Sequence, residues 1–293
     1  MDMMSEHPGT RLRSEMANGT VACPGAFTAL VARAVAQAGF KATYVSGGAT
    51  ANTAGVPDIG LLSLTEVCRT IREVADASGL PVIADADTGY GEAEMAARTV
   101  VEYERNGAAG LHLEDQVFPK RCGHLDGKTL IPTDHMVEKV EAAVAAKHHP
   151  DFIVCARTDA RSVDGLDAAI ERGQAYRDAG ADMIFPEGLG SIEEFSAFAE
   201  GCPGLLLANM TEFGKTPMIH IDRFKELGYD LVIYPVTMQR IAMNAVTSAL
   251  TRLRSEGSAE GLLDDMQNRQ DLYDLLGYVP GAPWSFPGST YAD

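Results

Sequence analysis

No stretch of this chain approaches the ~18 consecutive apolar residues that a helix needs to cross a bilayer, which excludes that kind of membrane protein. Its first ten residues, MDMMSEHPGT, carry acidic side chains and no apolar core, so they do not read as a secretory signal. Positive charge is in deficit. Lys and Arg number 24 against 41 Asp and Glu, for a net charge of −17 and a pI near 4.8. That balance argues against nucleic acid or an anionic membrane as the main partner. It leaves room for a small anion at a local basic site or beside a bound cation. Cysteine pairs are also missing. Cys23, Cys68, Cys122, Cys155 and Cys202 are odd in number, widely spaced and contain no CxxC, which reads as free thiols in a reducing cytoplasm. No tetrahedral zinc set emerges, because Cys122 and His124 are too close to form the usual pair and no HxxxH completes one. Low-complexity tracts, charge blocks and linkers are absent as well.

What remains is an ordinary globular composition of 293 residues, 46% apolar and 22% charged. Its rhythm is regular. Apolar runs rich in β-formers occur at 21–24, 41–46, 81–87, 110–115, 152–158, 182–187, 204–209 and 231–236, with helix-like stretches between them. The runs are continuously apolar rather than alternating, as parallel strands covered on both faces require. The stretch 65–79 starts on Thr65, a good N-cap, and glycine follows several helices, where a left-handed cap is favourable. Eight strands alternating with helices predict a parallel (β/α)8 barrel in one domain, over about residues 20–256, with a tail over 257–293. The competing reading is an open doubly wound sheet, but no GxGxxG or Walker loop opens any helix.

A barrel gathers its active-site groups at the C-terminal ends of its strands. Here those ends carry Ser46-Gly47-Gly48, Asp85, Asp87, Glu114-Asp115, Arg157, Asp159, Glu187 and Asn209. Asp85 and Asp87 are two apart, as are His112 and Glu114, so each pair shares a strand face. Carboxylates sharing a face repel unless a cation intervenes, and oxygen ligands of this kind suit Mg²⁺ or Mn²⁺. Asp-Thr-Gly is also good turn chemistry, which is the competing reading of that segment. The connections 47–64 and 115–133 are longer than a barrel needs and read as binding loops. The second holds KRCGHLDGK (120–128), in which Cys122 lies among Lys120, Arg121 and His124. A merely structural cysteine fits so polar a loop poorly. A redox-sensing thiol would lack a resolving cysteine nearby in sequence.

KRCGH after the LHLEDQ strand end, with SGG at 46–48 and DADTGYG at 85–91, resembles the isocitrate lyase / phosphoenolpyruvate mutase superfamily, and specifically its lyases, from about Gly25 to Tyr278. The resemblance implies reversible aldol-type cleavage of a 2-hydroxy tricarboxylate to pyruvate and succinate. It implies Mg²⁺ held by Asp85 and Asp87, with Asp58, His112 and Glu114 in the surrounding shell. It further implies substrate carboxylates bound by backbone N–H groups of Ser46, Gly47 and Gly48, and by Gly123, Arg157, Glu187, Asn209, Thr211, Arg240 and Arg269. Cys122 would be the general acid, with Lys120 and His124 tuning its thiol, and Tyr44 or a metal-linked carboxylate the base. A homotetramer is implied too, through a last helix packed on a neighbouring subunit, for which 258–277 is the candidate. Cleavage of 2,3-dimethylmalate, or another short-chain isocitrate-lyase-like reaction, is the nearest alternative, and two more distant ones are a 2-oxo-acid decarboxylase or C–P bond enzyme of the same fold and a non-catalytic metabolite-binding protein. Of those two, the first would not need Cys122, and the second would bind substrate without turnover.

Overall fold

The structure is a computed structural model that describes residues 6–123, 125 and 127–284. Its strands are β1 (Val21–Pro24), β2 (Thr43–Val45), β3 (Val82–Asp85), β4 (Gly110–Glu114), β5 (Ile153–Thr158), β6 (Met183–Pro186), β7 (Leu205–Asn209) and β8 (Leu231–Tyr234). All eight lie inside the expected apolar runs. They pair in parallel in the order β1-β8-β7-β6-β5-β4-β3-β2. The ring closes between β1 and β2. Gly25 bridges Tyr44, the Ala26 N–H donates to the Tyr44 carbonyl at 2.9 Å, and Thr43 Oγ1 donates to the Pro24 carbonyl at 2.9 Å. Glycine is required at 25, because a Cβ there would lie 2.2 Å from the Pro235 carbonyl oxygen.

Alternation along each strand builds two apolar layers. Cys23, Ile83, Cys155, Met183, Leu207 and Ile233 fill the barrel interior, and Leu12 and Met16 of helix Pro8–Ala17 close its N-terminal end. Val45, Ala84, Leu111, Val154, Ile184 and Val232 face outward against the helices. Apolar burial on both faces explains why the strands read as unbroken apolar runs.

Two expectations change. Helix Leu64–Ser78 is capped by Ser63 rather than Thr65. Ser63 is extended and forms a capping box with Glu66, while Thr65 already lies inside the first turn. The C-terminal segment is not one helix over 258–277. A 3₁₀ turn (Glu260–Asp265) is separated by extended Met266 from helix Arg269–Leu276. That short helix packs on helix Ala29–Gln37 of the same chain, where Arg33 Nη1 donates to the Leu276 carbonyl at 3.2 Å. Leu263 and Met266 of the C-terminal segment are exposed, and a longer apolar stripe lies on helix Thr237–Glu256, which buries only Gln239 and leaves Ile241, Met243, Val246 and Leu250 open. Among the described residues no helix is long and apolar enough to cross a membrane.

Candidate active site

Toward the C-terminal end of the barrel the inward positions change from apolar to polar. Ile83 is followed by Asp85, Cys155 by Arg157, Phe185 by Glu187 and Leu207 by Asn209. These side chains ring a cavity of about 250 Å³ that is also lined by Tyr44, Ser46, Gly48, Asp58, Lys120, Cys122, Gly123, Thr211 and Arg240. Most of the expected site residues therefore converge. Gly47, Asp87, His112 and Glu114 stand just behind the lining, and their contacts are described below. Arg269 does not converge, since it sits exposed at the start of helix Arg269–Leu276. His124 lies outside the described residues. Asn52, Phe185, Ile233, Pro235 and Val236 complete the wall. They carry no motif by which the sequence would reveal them.

The two aspartates meet by a different route from strand alternation. β3 ends at Asp85, and Asp87 has left-handed backbone, φ 47°, within a turn closed by the Gly89 N–H donating to the Ala86 carbonyl at 2.8 Å. The turn folds back so that the Asp87 N–H donates to Asp85 Oδ1 at 3.0 Å. Asp85 Oδ2 accepts from the Gly47 N–H at 3.1 Å. A Cβ at position 47 would stand 2.8 Å from that oxygen, so glycine permits the approach. Lys120 bridges the acids, with Nζ bonded to Asp58 Oδ1 and 2.8 Å from Asp87 Oδ1. His112 and Glu114 do share the inner face of β4. Tyr44 Oη lies 2.7 Å from His112 Nε2, and His112 Nδ1 lies 3.7 Å from Asp85 Oδ1.

Burial and charge set the proton inventory. Burial pushes His112 down to about 4 against the pull of Asp85, so its ring is neutral at pH 7. A neutral ring that accepts from Tyr44 at Nε2 carries its proton on Nδ1, toward Asp85. Burial holds the Tyr44 phenol far above its ordinary range. Burial, then repulsion from Asp85, raises Asp87 to about 6. Burial opposes ionisation of Asp85 too, but His112, Lys120 and Arg157 together outweigh it and hold Asp85 below the usual carboxylate range. Burial would discharge Lys120, yet Glu114, Asp87, Asp85 and Asp58 keep it firmly cationic.

This donor set fits a divalent cation. At pH 7 the carboxylates of Asp58, Asp85 and Asp87 face one ammonium, and Glu114 Oε1 is buried without a hydrogen-bond partner. Among the described residues no three His, Cys, Asp or Glu side chains converge as a ready-made cage. A divalent ion held through one or two carboxylates, with waters or substrate oxygens completing its shell, needs no such cage.

Arg157 holds the opposite wall. Its guanidinium meets Asp159 through Nε at 3.0 Å and Nη2 at 3.1 Å, and its Nη1 lies 3.1 Å from Glu114 and 3.7 Å from Glu187. It stacks over Phe185 at 5.2 Å. Asn209 Nδ2 donates to Glu187 at 3.1 Å. Arg240 stands at the rim, with Nη1 bonded to the Glu212 carbonyl and its guanidinium over Phe213 at 5.2 Å.

The cysteine loop is fastened at several points. Gln116 clasps Arg121, accepting from its N–H and donating to its carbonyl, both at 2.9 Å. Cys122 is half-buried, whereas the other four cysteines are buried. Gly123 rests directly on the arginine wall. A Cβ there would lie 2.5 Å from both Arg157 Nη2 and Glu187 Cγ. Gly123→Ala is therefore expected to lift the loop and lower kcat about 100-fold with the melting temperature nearly unchanged, as steady-state kinetics beside a melting curve would read. Asp159 was expected at the end of its strand, whereas the contributions of Gln116 and Lys128 were not foreseen. Both are ordinary polar residues in sequence, and only the fold gives them partners.

Fold and site together define a (β/α)8-barrel enzyme with its chemistry at the C-terminal mouth. The chain belongs to the phosphoenolpyruvate phosphomutase family, whose model matches residues 12–254. It is 56% identical over 256 residues to a probable 2-methylisocitrate lyase 1 of Corynebacterium glutamicum, covering 87% of this chain and 84% of that one. A crystal structure of 2,3-dimethylmalate lyase, a PEP mutase/isocitrate lyase superfamily member, superimposes with a TM-score of 0.87 at 38% identity, covering 92% of this chain and 91% of that one. Phosphonopyruvate hydrolase in complex with oxalate and Mg²⁺ has a TM-score of 0.84 at 30% identity, covering 93% and 95%.

Proposed function

We propose that this enzyme is a Mg²⁺-dependent carbon–carbon lyase that cleaves 2-methylisocitrate to pyruvate and succinate in the methylcitrate cycle of propionate catabolism. The observation that carries the reading is that Cys122, Arg157 and the Asp58–Asp85–Lys120 cluster line one small cavity. A Mg²⁺ (or Mn²⁺) held by Asp85 and Asp87, with Asp58, His112 and Glu114 around it, supplies Lewis acidity to the substrate's hydroxyl and carboxylate oxygens. Arg157 anchors the carboxylate of the 2-oxo-acid half, and Asn209, Thr211 and Arg240 face the other carboxylates. Tyr44 keeps its proton, because burial raises its phenol and its hydroxyl is directed at neutral His112. Removal of the hydroxyl proton falls to the cavity carboxylates, Asp58 or Asp85. Cleavage leaves a carbanion beside a carboxylate, and Cys122 protonates it. The Lys120 ammonium is committed to Asp58 and Asp87.

Two observations support the rest of the reading. Buried or half-buried free thiols suit a cytoplasmic protein. The open apolar stripe of helix Thr237–Glu256 is the face on which subunits of a homotetramer would pack, and a neighbouring copy is the route by which Arg269 could reach a cavity.

The test is pyruvate release with and without Mg²⁺ from 2-methylisocitrate, beside 2,3-dimethylmalate, isocitrate and oxaloacetate, in wild type and Cys122→Ser. Pyruvate and succinate from methylisocitrate are expected, with kcat in the variant reduced about 10²–10⁴-fold. Cleavage of dimethylmalate alone moves the substrate assignment to that acid. Full activity of Cys122→Ser rules out the thiol as the acid.

A further inference from the structure

The cysteine loop ends on a lysine that none of the proposed chemistry uses. Lys128 is almost completely buried, with its side chain 1% exposed, and it pairs there with Asp159, whose side chain is 0% exposed. Burying a lysine in a surface connection is unfavourable unless the charge is matched and hydrogen-bonded. Lys128 Nζ meets that condition by donating to Asp159 Oδ1 at 2.7 Å and to the Gly123 carbonyl. Gly123 is the residue directly after Cys122.

Asp159 is itself rigidly held. Its carboxylate takes two hydrogen bonds from Arg157, and its N–H donates to Asp115 Oδ1 at 2.9 Å. Asp115 is fixed in the helix layer by Tyr176 at 2.8 Å and Arg172 at 3.2 Å. A continuous polar chain thus runs from the helix layer through Asp115 and Asp159 to Lys128, and from there to the backbone beside the thiol. Gln116 fixes the other side of Cys122 by clasping Arg121. Packing alone cannot hold Gly123 down, because a glycine has no side chain to bury.

We propose that Lys128 is a positioning residue that fixes Cys122 over the arginine wall by tying the Gly123 carbonyl to Asp159. Its importance for turnover rests on the reading of Cys122 as the acid, whereas its hold on the loop does not. Lys128 does not line the cavity, so its loss is expected to spare substrate affinity and slow the step that needs the thiol in place. Removing it leaves Asp159 still paired with Arg157, so no bare carboxylate is created.

The experiment compares wild type, Lys128→Met, Lys128→Gln and Cys122→Ser in two assays. The first is steady-state cleavage of 2-methylisocitrate with Mg²⁺. The second is the alkylation rate of Cys122 by iodoacetamide without substrate, read by peptide mass spectrometry. Lys128→Met is expected to lose about 100-fold in kcat with KM within about threefold, and to alkylate at least about tenfold faster at Cys122 as the loop opens locally. Lys128→Gln keeps a donor for the Gly123 carbonyl and is expected between the two. It carries the test if the methionine variant does not fold. Wild-type values in both assays overturn the proposal, as does a fall in kcat with unchanged alkylation. Faster alkylation with unchanged kcat leaves the tether standing and defeats the reading of Cys122 as the acid.

Discussion

Arg157→Met is expected to abolish measurable turnover and to destabilise the fold by about 3–5 kcal/mol at neutral pH, a loss typical of breaking a buried ion pair from one side. The guanidinium is the common partner of Asp159, Glu114 and Glu187, all at the barrel mouth and all buried. Lys128 would still serve Asp159, but Glu114 and Glu187 would lose the charge that justifies them. Turnover falls for a separate reason, since on the proposed function the same guanidinium anchors the substrate's 2-oxo-acid carboxylate, and one charged donor is worth at least about 10²–10³ in rate. The pH dependence separates the two effects. Burial raises Glu114 and Arg157 opposes that rise, so in the variant Glu114 is raised further. A carboxyl whose folded pKa is raised contributes stability below its unfolded pKa and loses it as pH climbs through the folded value. The stability gap between variant and wild type should therefore narrow as pH is lowered from about 8 to about 5, while activity stays absent throughout. Urea unfolding at both pH values, beside a pyruvate assay, reads this. A variant as stable as wild type at pH 8 would mean that the three carboxylates are not held by Arg157.

The barrel was legible in the sequence because parallel strands buried on both faces leave a local signature. VIAD at 82–85 and IVCART at 153–158 need no partner to be read as interior strands. Asp85, Arg157, Glu187 and Asn209 were legible for a related reason, since each closes an apolar run and a barrel brings those ends together. What failed to read is what depends on distant partners. Asp85 and Asp87 looked like strand neighbours, and their proximity comes instead from a left-handed turn at Asp87. The stripe of apolar residues over 258–277 looked like one helix, but an extended Met266 splits it, and a further open apolar face lies on the preceding helix. Lys128 carries no signal of its own, because nothing local to it shows that Asp159, 31 residues on, will be buried beside it. Sequence periodicity records which face of an element is covered. It does not record which polar group is waiting there.

Asp87→Asn should have opposite effects on the protein's stability and on its chemistry. Without metal the Asp87 carboxyl titrates at about 6, raised by burial and by Asp85, against about 4 for an unfolded aspartate. A raised folded pKa means that the protonated form is the comfortable one. The cost of ionising it is absent near pH 4 and complete above about pH 7, where it amounts to on the order of 2 kcal/mol. Asparagine mimics the protonated form at every pH, so the metal-free variant should be more stable than wild type at pH 7 by up to that amount and equal to it near pH 4. Lys120 still has Asp58, so the substitution does not strand the ammonium. On the proposed function the same change takes away a charge that helps to hold the cation. Mg²⁺ is expected to raise the melting temperature of wild type more at pH 7 than at pH 5, because at the lower pH it must first displace the Asp87 proton. In the variant that increment should largely vanish at both values, with metal affinity down at least about 100-fold and turnover lost with it. Thermal melts with and without Mg²⁺ at the two pH values decide the matter. If the variant is less stable than wild type at pH 7 without metal, burial and the repulsion from Asp85 do not outweigh the attraction of Lys120 at this carboxylate. If it still responds fully to Mg²⁺, Asp87 is not one of the groups that hold the ion.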